Sequence, residues 1–291
     1  MSQLSVKHFC CPHCEGKSFS KRGYFYKKST KTYIPRYLCL DCKKSFSTRT
    51  TSPTFNQKRS DLNPMIFKLL CGGVSMRESA KILGCNYKTV YRKFLWLGLR
   101  AKLFHSNQTF IAERIQFDEM ETLEHTKLKP LSIALAVSDT YQILGVEVAT
   151  IPAKGHLAAI SRSKYGRRKN ESFSKTHNLL ESVRSKLSDK PLQLSSDAKK
   201  DYRVITKDLF PNTPHKAYPS RDNKEKRREQ KYLKAEKHIH DPLFEINHMC
   251  ARLRDHIKRL TRRSWCTTKL KDHLELALYL YLAKNNNYKF I

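Results

Sequence analysis

Two pairs of cysteines and two aspartates are the residues here whose spacing could do chemistry. Cys11-Pro12-His13-Cys14 and Cys39-Leu40-Asp41-Cys42 are two C-x-x-C turns separated by 24 residues. A two-residue gap lets both thiolates of a turn reach one ion, and two such turns complete a tetrahedral four-thiolate zinc site. Cys10 is a spare thiol that replaces Cys11 if the first turn shifts by one residue. Four thiolates leave no open coordination position, so the expected Zn2+ is structural. The aspartates are Asp118 and Asp197, each at the end of a short alternating or apolar run. Two carboxylates brought into one site repel and call for a divalent cation between them, Mg2+ or Mn2+.

The elements that must position these residues can be read from the pattern around them. Residues 1–50 mix basic and aromatic positions, among them Phe19, Tyr24, Tyr26, Tyr33, Tyr37 and Phe46, and predict a zinc ribbon of short strands. The segment around 50–60 has no apolar period and reads as a linker. Asn63-Pro64 opens a helix that stops at Gly72-Gly73. Ser75 and Glu78 form a capping box for a second helix, and Gly84 ends it. Asn86 caps a third helix, predicted from Tyr87 to about Trp96, with Val90, Phe94 and Leu97 as its buried stripe. Lys88, Arg92 and Lys93 are assigned to its opposite, basic face. Three short helices ending on a basic one predict a helix-turn-helix domain over 60–102, with those three residues on DNA. An ordinary three-helix bundle fits the periodicity equally.

Beyond residue 112 the pattern becomes strand-rich. Arg114 to Glu119 alternates, with Asp118 near its end, and Leu131–Val137 and Gln142–Ala149 follow as strands joined at Ser138-Asp139-Thr140. Residues 154–175 read as a loop and Thr176–Leu187 as a helix, before a strand Leu192–Ser196 that delivers Asp197. Three strands with an acid on the first, then a fourth bearing the second acid, match a ribonuclease-H-like mixed sheet, in which the two acids share metal ions. The predicted catalytic domain spans 112–291. It carries a basic insertion at about 219–240, with 8 Lys or Arg against 4 Asp or Glu. The fold class expected is thus α/β and multidomain.

Composition narrows the partners. The 291 residues include 57 Lys or Arg and 26 Asp or Glu, a formal charge of +31. That is far above the ~2–8 that suffices for solubility and points to a polyanion, double-stranded DNA first. The longest apolar stretch, Leu274–Ala283, is ten residues with Glu275 inside it, too short for the ~20 of a membrane span. The start has no apolar run of a secretory signal, and the expected location is cytoplasmic, on the nucleoid.

The order of these parts resembles the transposases of the insertion-sequence-one family of bacterial mobile elements. Arg36-Tyr37-Leu38-Cys39 to Cys42-Lys43-Lys44 is similar to that family's second zinc knuckle. The segment around Phe117-Asp118-Glu119 is similar to its first catalytic acid, and Ser196-Asp197 with Tyr202 to its second. The run from Leu253 to Leu260, then Arg262-Arg263-Ser264 and Thr268-Lys269, is similar to its C-terminal basic helix and lysine signature. The resemblance implies a transposase that binds element ends, cleaves a strand with bound metal ions and transfers the freed 3′ hydroxyl into target DNA. It implies Lys269 near the scissile phosphate or a flanking base. Arg254, Lys258, Arg262 and Arg263 grip the backbone in this reading, and the protein works as a homo-oligomer on DNA. The family's third acid is a glutamate; an ungapped register puts Asn247 there, with Glu245 two residues earlier as the alternative. The competing readings are a non-catalytic zinc-ribbon and helix-turn-helix regulator derived from a transposase, and a metal-dependent nuclease without strand transfer.

Overall fold

The computed structural model describes residues 10–27, 31–50, 52–219, 241–261 and 267–290. Nearly all of the expected insertion, together with Arg262, Arg263 and Trp265, lies outside the described residues. The fold is mixed α/β, and the chain divides into two compact units, one up to Pro64 and one over Met65–Phe290.

The first unit is a three-stranded antiparallel sheet in the order β1-β2-β3, made of Phe19–Lys27, Thr32–Cys39 and Ser45–Ser47. So short a sheet has little to bury. Its core is Phe46 with Cys11 and Cys39, against which Phe19, Tyr37 and Cys42 pack. Phe19, Tyr37 and Phe46 form a ring triangle with centroids 5.5 to 5.7 Å apart. A bulge between Lys21 and Tyr24 falls at Gly23, whose φ of 73° suits glycine.

The second unit opens with three helices: α1 (Asn63–Cys71), α2 (Met76–Ile82) and α3 (Tyr87–Ser106). The expected caps form on α2 and α3, but Asn63 does not cap α1: it is helical itself at φ −55°, and its buried side-chain oxygen has no hydrogen-bond partner among the described residues. The Ser75 hydroxyl accepts from the Glu78 N–H at 3.2 Å, and the Asn86 side chain accepts from the Lys88 N–H at 2.8 Å. Gly84 sits in the left-handed region at φ 56°. Helix α3 runs ten residues past Trp96, because its apolar positions continue through Ala101 and pack along α8 (Lys271–Asn285). The two backbones approach closely at Gly98, where a methyl would lie 2.7 Å from Leu276 Cβ. The three helices therefore belong to the same compact unit as the sheet.

That sheet has five strands in the order β6-β5-β4-β7-β8. Strands β4 (Arg114–Leu123), β5 (Pro130–Ser138) and β6 (Ile143–Thr150) form an antiparallel meander. Strands β7 (Gln193–Asp197) and β8 (His215–Tyr218) add in parallel beyond β4. The two parallel steps are bridged by helices: α4 (Leu157–Tyr165) and α5 (Ser172–Lys186) before β7, and α6 (Lys200–Leu209) before β8. Helix α4 occupies part of the expected loop, and β8 had no sequence signal beyond His215-Lys216-Ala217-Tyr218 itself. One face of the sheet, with Ile115, Phe117, Ala134 and Leu194, packs against Leu179, Val183, Tyr202 and Ile205 of α5 and α6. The other face meets α7 (Phe244–His256), whose Ile246, Met249 and Leu253 are buried. Among the described residues no helix is long and apolar enough to cross a membrane.

Candidate functional sites: a four-cysteine cluster and a paired-aspartate strand end

The backbone folds each C-x-x-C segment into a tight turn. The Cys11 N–H donates to the Gly16 carbonyl and the Glu15 N–H to the Cys11 carbonyl, both at 2.9 Å. The Cys39 N–H donates to the Lys44 carbonyl at 3.0 Å. The residue after each second cysteine, Glu15 and Lys43, is left-handed at φ 58° in both cases. This repeated turn swings the sulfurs inward. The Cys11 and Cys42 sulfurs are 3.6 Å apart, those of Cys14 and Cys39 3.5 Å, and all four lie within 4.8 Å of one another. Sulfurs bound tetrahedrally to zinc at about 2.3 Å sit ~3.8 Å apart, so the four cysteines are close enough to bind such a metal. Cys10 is outside this cluster, and His13 is exposed.

The second constellation begins from strand register. Ile115 pairs with Leu194 and Gln116 with Ser195 in the parallel β4–β7 ladder. Two residues further on, Asp118 stands beside Asp197. Ile115 and Leu194 share the core facing α5 and α6, so alternation turns both aspartates to the opposite face. Burial pushes the Asp118 carboxyl up to about 6, and the nearby Asp197 charge adds to that rise. Three donors work against it or fix the pair. The Glu119 N–H donates to Asp118 at 2.7 Å, the Tyr202 hydroxyl donates to Asp118 at 3.3 Å, and the Lys199 N–H donates to Asp197 at 3.1 Å.

Glu119 points the other way. Its carboxylate accepts from Ser132, Ser172, Thr176 and Lys199, at 2.8 to 2.9 Å. Burial opposes its ionisation, but the Lys199 ammonium and the hydroxyls hold it below the usual range. Glu119 thus fixes the Lys199 side chain, while the Lys199 backbone orients Asp197. The sequence reading missed this role: the signal was the Asp118-Glu119 pair itself, two adjacent acids that must face opposite sides of a strand.

Helix α7 decides the third position only in part. Gln116 donates from its amide to the Pro242 carbonyl and to Glu245, and accepts from the Ile246 N–H. Asn247 is exposed and donates to Asp241 at 2.9 Å. Neither side chain hydrogen-bonds to Asp118 or Asp197 among the described residues. The flank of α7 nearest Asp118 carries Cys250, whose thiol is raised to about 11 by burial and then by the Asp118 charge. At ~100° per residue, Asn247 is about 60° from Cys250, and Glu245 about 140°.

The expected basic residues separate. Lys88 and Arg92 are exposed on α3. Lys93 is a correction: at 6% exposure it is buried, with an interaction partner. It follows Val90 by three residues, so helical spacing puts it beside the buried stripe, not opposite it. Arg254 and Lys258 are half-buried. Lys269 is exposed, 3.3 Å from the Thr267 hydroxyl and 3.5 Å from His125.

Comparison of the sequence with models of known protein families finds no match, and comparison with curated proteins finds none either.

Proposed function

We propose that the chain is a DNA transposase of the bacterial insertion-element kind, cutting and joining strands at Asp118 and Asp197. One observation carries the reading. Asp197 ends β7, and Asp118, midway along β4, stands beside it just past the parallel β4–β7 ladder, inside the strand order β6-β5-β4-β7-β8. Three antiparallel strands extended by two parallel ones is the ribonuclease-H-like order, and the carboxyl ends of parallel strands are where such sheets bind ligands. In this reading the domain from β4 onward is the catalytic one, and α1–α3 are a helix-turn-helix.

The residues fit a divalent cation. Two carboxylates on one face, one of them raised by burial and by its neighbour, gain most from a cation between them. Mg2+ or Mn2+ held by Asp118 and Asp197 would activate the attacking oxygen and stabilise the leaving one. The chain's own contribution is positional. Tyr202 fixes the Asp118 carboxylate, and Lys199, anchored by Glu119, fixes Asp197. Asn247, on the flank that carries Cys250, is the third side chain of the site in this reading. Lys88 and Arg92 on α3 hold the duplex through its phosphates. Arg254, Lys258 and Lys269 lie around α7 and the start of α8 and take the DNA near the reacting strand. Joining two element ends calls for two or more copies on DNA.

Inverted repeats flanking the gene would favour this reading, and the test is a strand-transfer assay in Mg2+ with DNA ends taken from the sequence flanking the gene. Joined products with a freed 3′ hydroxyl support a transposase. Cleavage without joining assigns a nuclease, and end binding without cleavage assigns a DNA-binding regulator.

A further inference from the structure

A cavity of about 440 Å³ lies within the second unit, between residues of α1–α3 and Ile257–Arg259, Thr267, Lys269 and the Ala277–Tyr281 part of α8. Arg77, Lys258, Arg259 and Lys269 line it, and among the described residues no aspartate or glutamate does. Arg259 is the most informative of the four. Its guanidinium lies 5.4 Å from the centre of the Phe94 ring, and burial lowers its proton affinity. Among the described residues it has no carboxylate partner. Arg259 is half-buried, so its charge is only partly hydrated, and with three further cations beside it the cavity favours an anion.

The other walls say what kind of anion. Phe94 is almost fully buried, whereas Tyr87 is 45% exposed and stacked on Tyr91 at 6.3 Å and 16°. Flat rings beside cations favour a planar aromatic ligand that carries negative charge. The volume is at the low end of the roughly 300–1,000 Å³ of ligand pockets. That is too large for phosphate alone and too small for a duplex.

We infer that this cavity binds a single nucleotide, its phosphate on Arg259 and Lys258 and its base against Tyr87. The nucleotide is either free or one extrahelical unit of a DNA strand; the recognition chemistry is the same. The inference does not depend on strand cleavage, since neither Asp118 nor Asp197 lines the cavity.

Calorimetry on the full-length, zinc-loaded protein tests it with three probes: adenosine 5′-monophosphate, inorganic phosphate and adenosine. Fluorescence anisotropy adds a duplex with one unpaired bulged nucleotide beside its fully paired parent. The expected result is binding of the monophosphate, or tighter binding of the bulged duplex, at least about tenfold over phosphate, adenosine or the paired duplex. Arg259→Gln should remove that advantage. Tyr87→Ala, an exposed position, should weaken it several-fold with an unchanged melting temperature, and it decides the matter if Arg259→Gln fails to fold. A preference for the monophosphate assigns a free nucleotide; a preference confined to the bulged duplex assigns an extrahelical one. Asp118→Asn should leave either preference intact, even if no strand transfer is ever found. Absence of both preferences up to about 10 mM ligand, or their survival in both variants, overturns the inference.

Discussion

Asp118 sits where its charge is disfavoured. Burial, and then Asp197, raise its carboxyl from 3.8 in the unfolded chain to about 6. A raised acid means the folded state holds its proton more tightly than the unfolded one. The folded protein is therefore penalised above pH 6, and the penalty fades as pH falls through both values. Asp118→Asn should stabilise the protein at pH 7.5 by about 1–3 kcal/mol, with the gain vanishing near pH 4. Denaturant unfolding across that range checks this, and a gain independent of pH would contradict it. Asn247 and Glu245 separate by the same logic of contacts. Glu245→Ala removes a partner of the Gln116 amide and should cost about 1 kcal/mol of stability while cleavage persists. Asn247→Ala should leave stability nearly unchanged and lower cleavage at least about tenfold. Reversed effects would move the third ligand to Glu245.

At the scale of elements, α3 shows how one helix serves two surfaces. Its inner stripe of Val90, Phe94, Leu97 and Ala101 is buried, while Lys88 and Arg92 are outside. Replacing Lys88 and Arg92 together with Ala should weaken duplex binding and flatten its salt dependence by about two units of slope. Lys93→Ala should instead act on stability, because Lys93 is buried with a partner. Equal effects of all three on salt slope would contradict this division. Much of this was legible from the sequence because caps and periods are local. Ser75, Gly84 and Asn86 marked their helix ends, and the alternation at Arg114–Glu119 marked β4. What stayed hidden depends on distant packing. The extension of α3 to Ser106 is set by α8, which begins 165 residues further on, and β8 is a strand because β7 offers it an edge. The partners of Glu119 come from three elements that no local pattern joins.

At the scale of the molecule, each compact unit has its own source of stability. The first has a core of a few rings and thiols, and a metal on Cys11, Cys14, Cys39 and Cys42 would supply folding energy that so small a sheet lacks. Metal analysis should give one zinc per chain, and chelation should unfold the ribbon while the second unit, with its own helix-packed sheet, stays folded. Hydrogen exchange that remains slow in β1 and β2 after chelation would refute the metal's structural role. The second unit gathers two acids inside a chain of net charge +31, and in the proposed transposase strand cleavage is where its parts would act together. The most direct test is Mn2+-dependent DNA cleavage by the full-length protein beside Asp118→Asn and Asp197→Asn. The account predicts cleavage by the parent protein that requires the ion, and loss of at least about a thousandfold in each variant with DNA binding intact. Cleavage in either variant within about tenfold of the parent would contradict it.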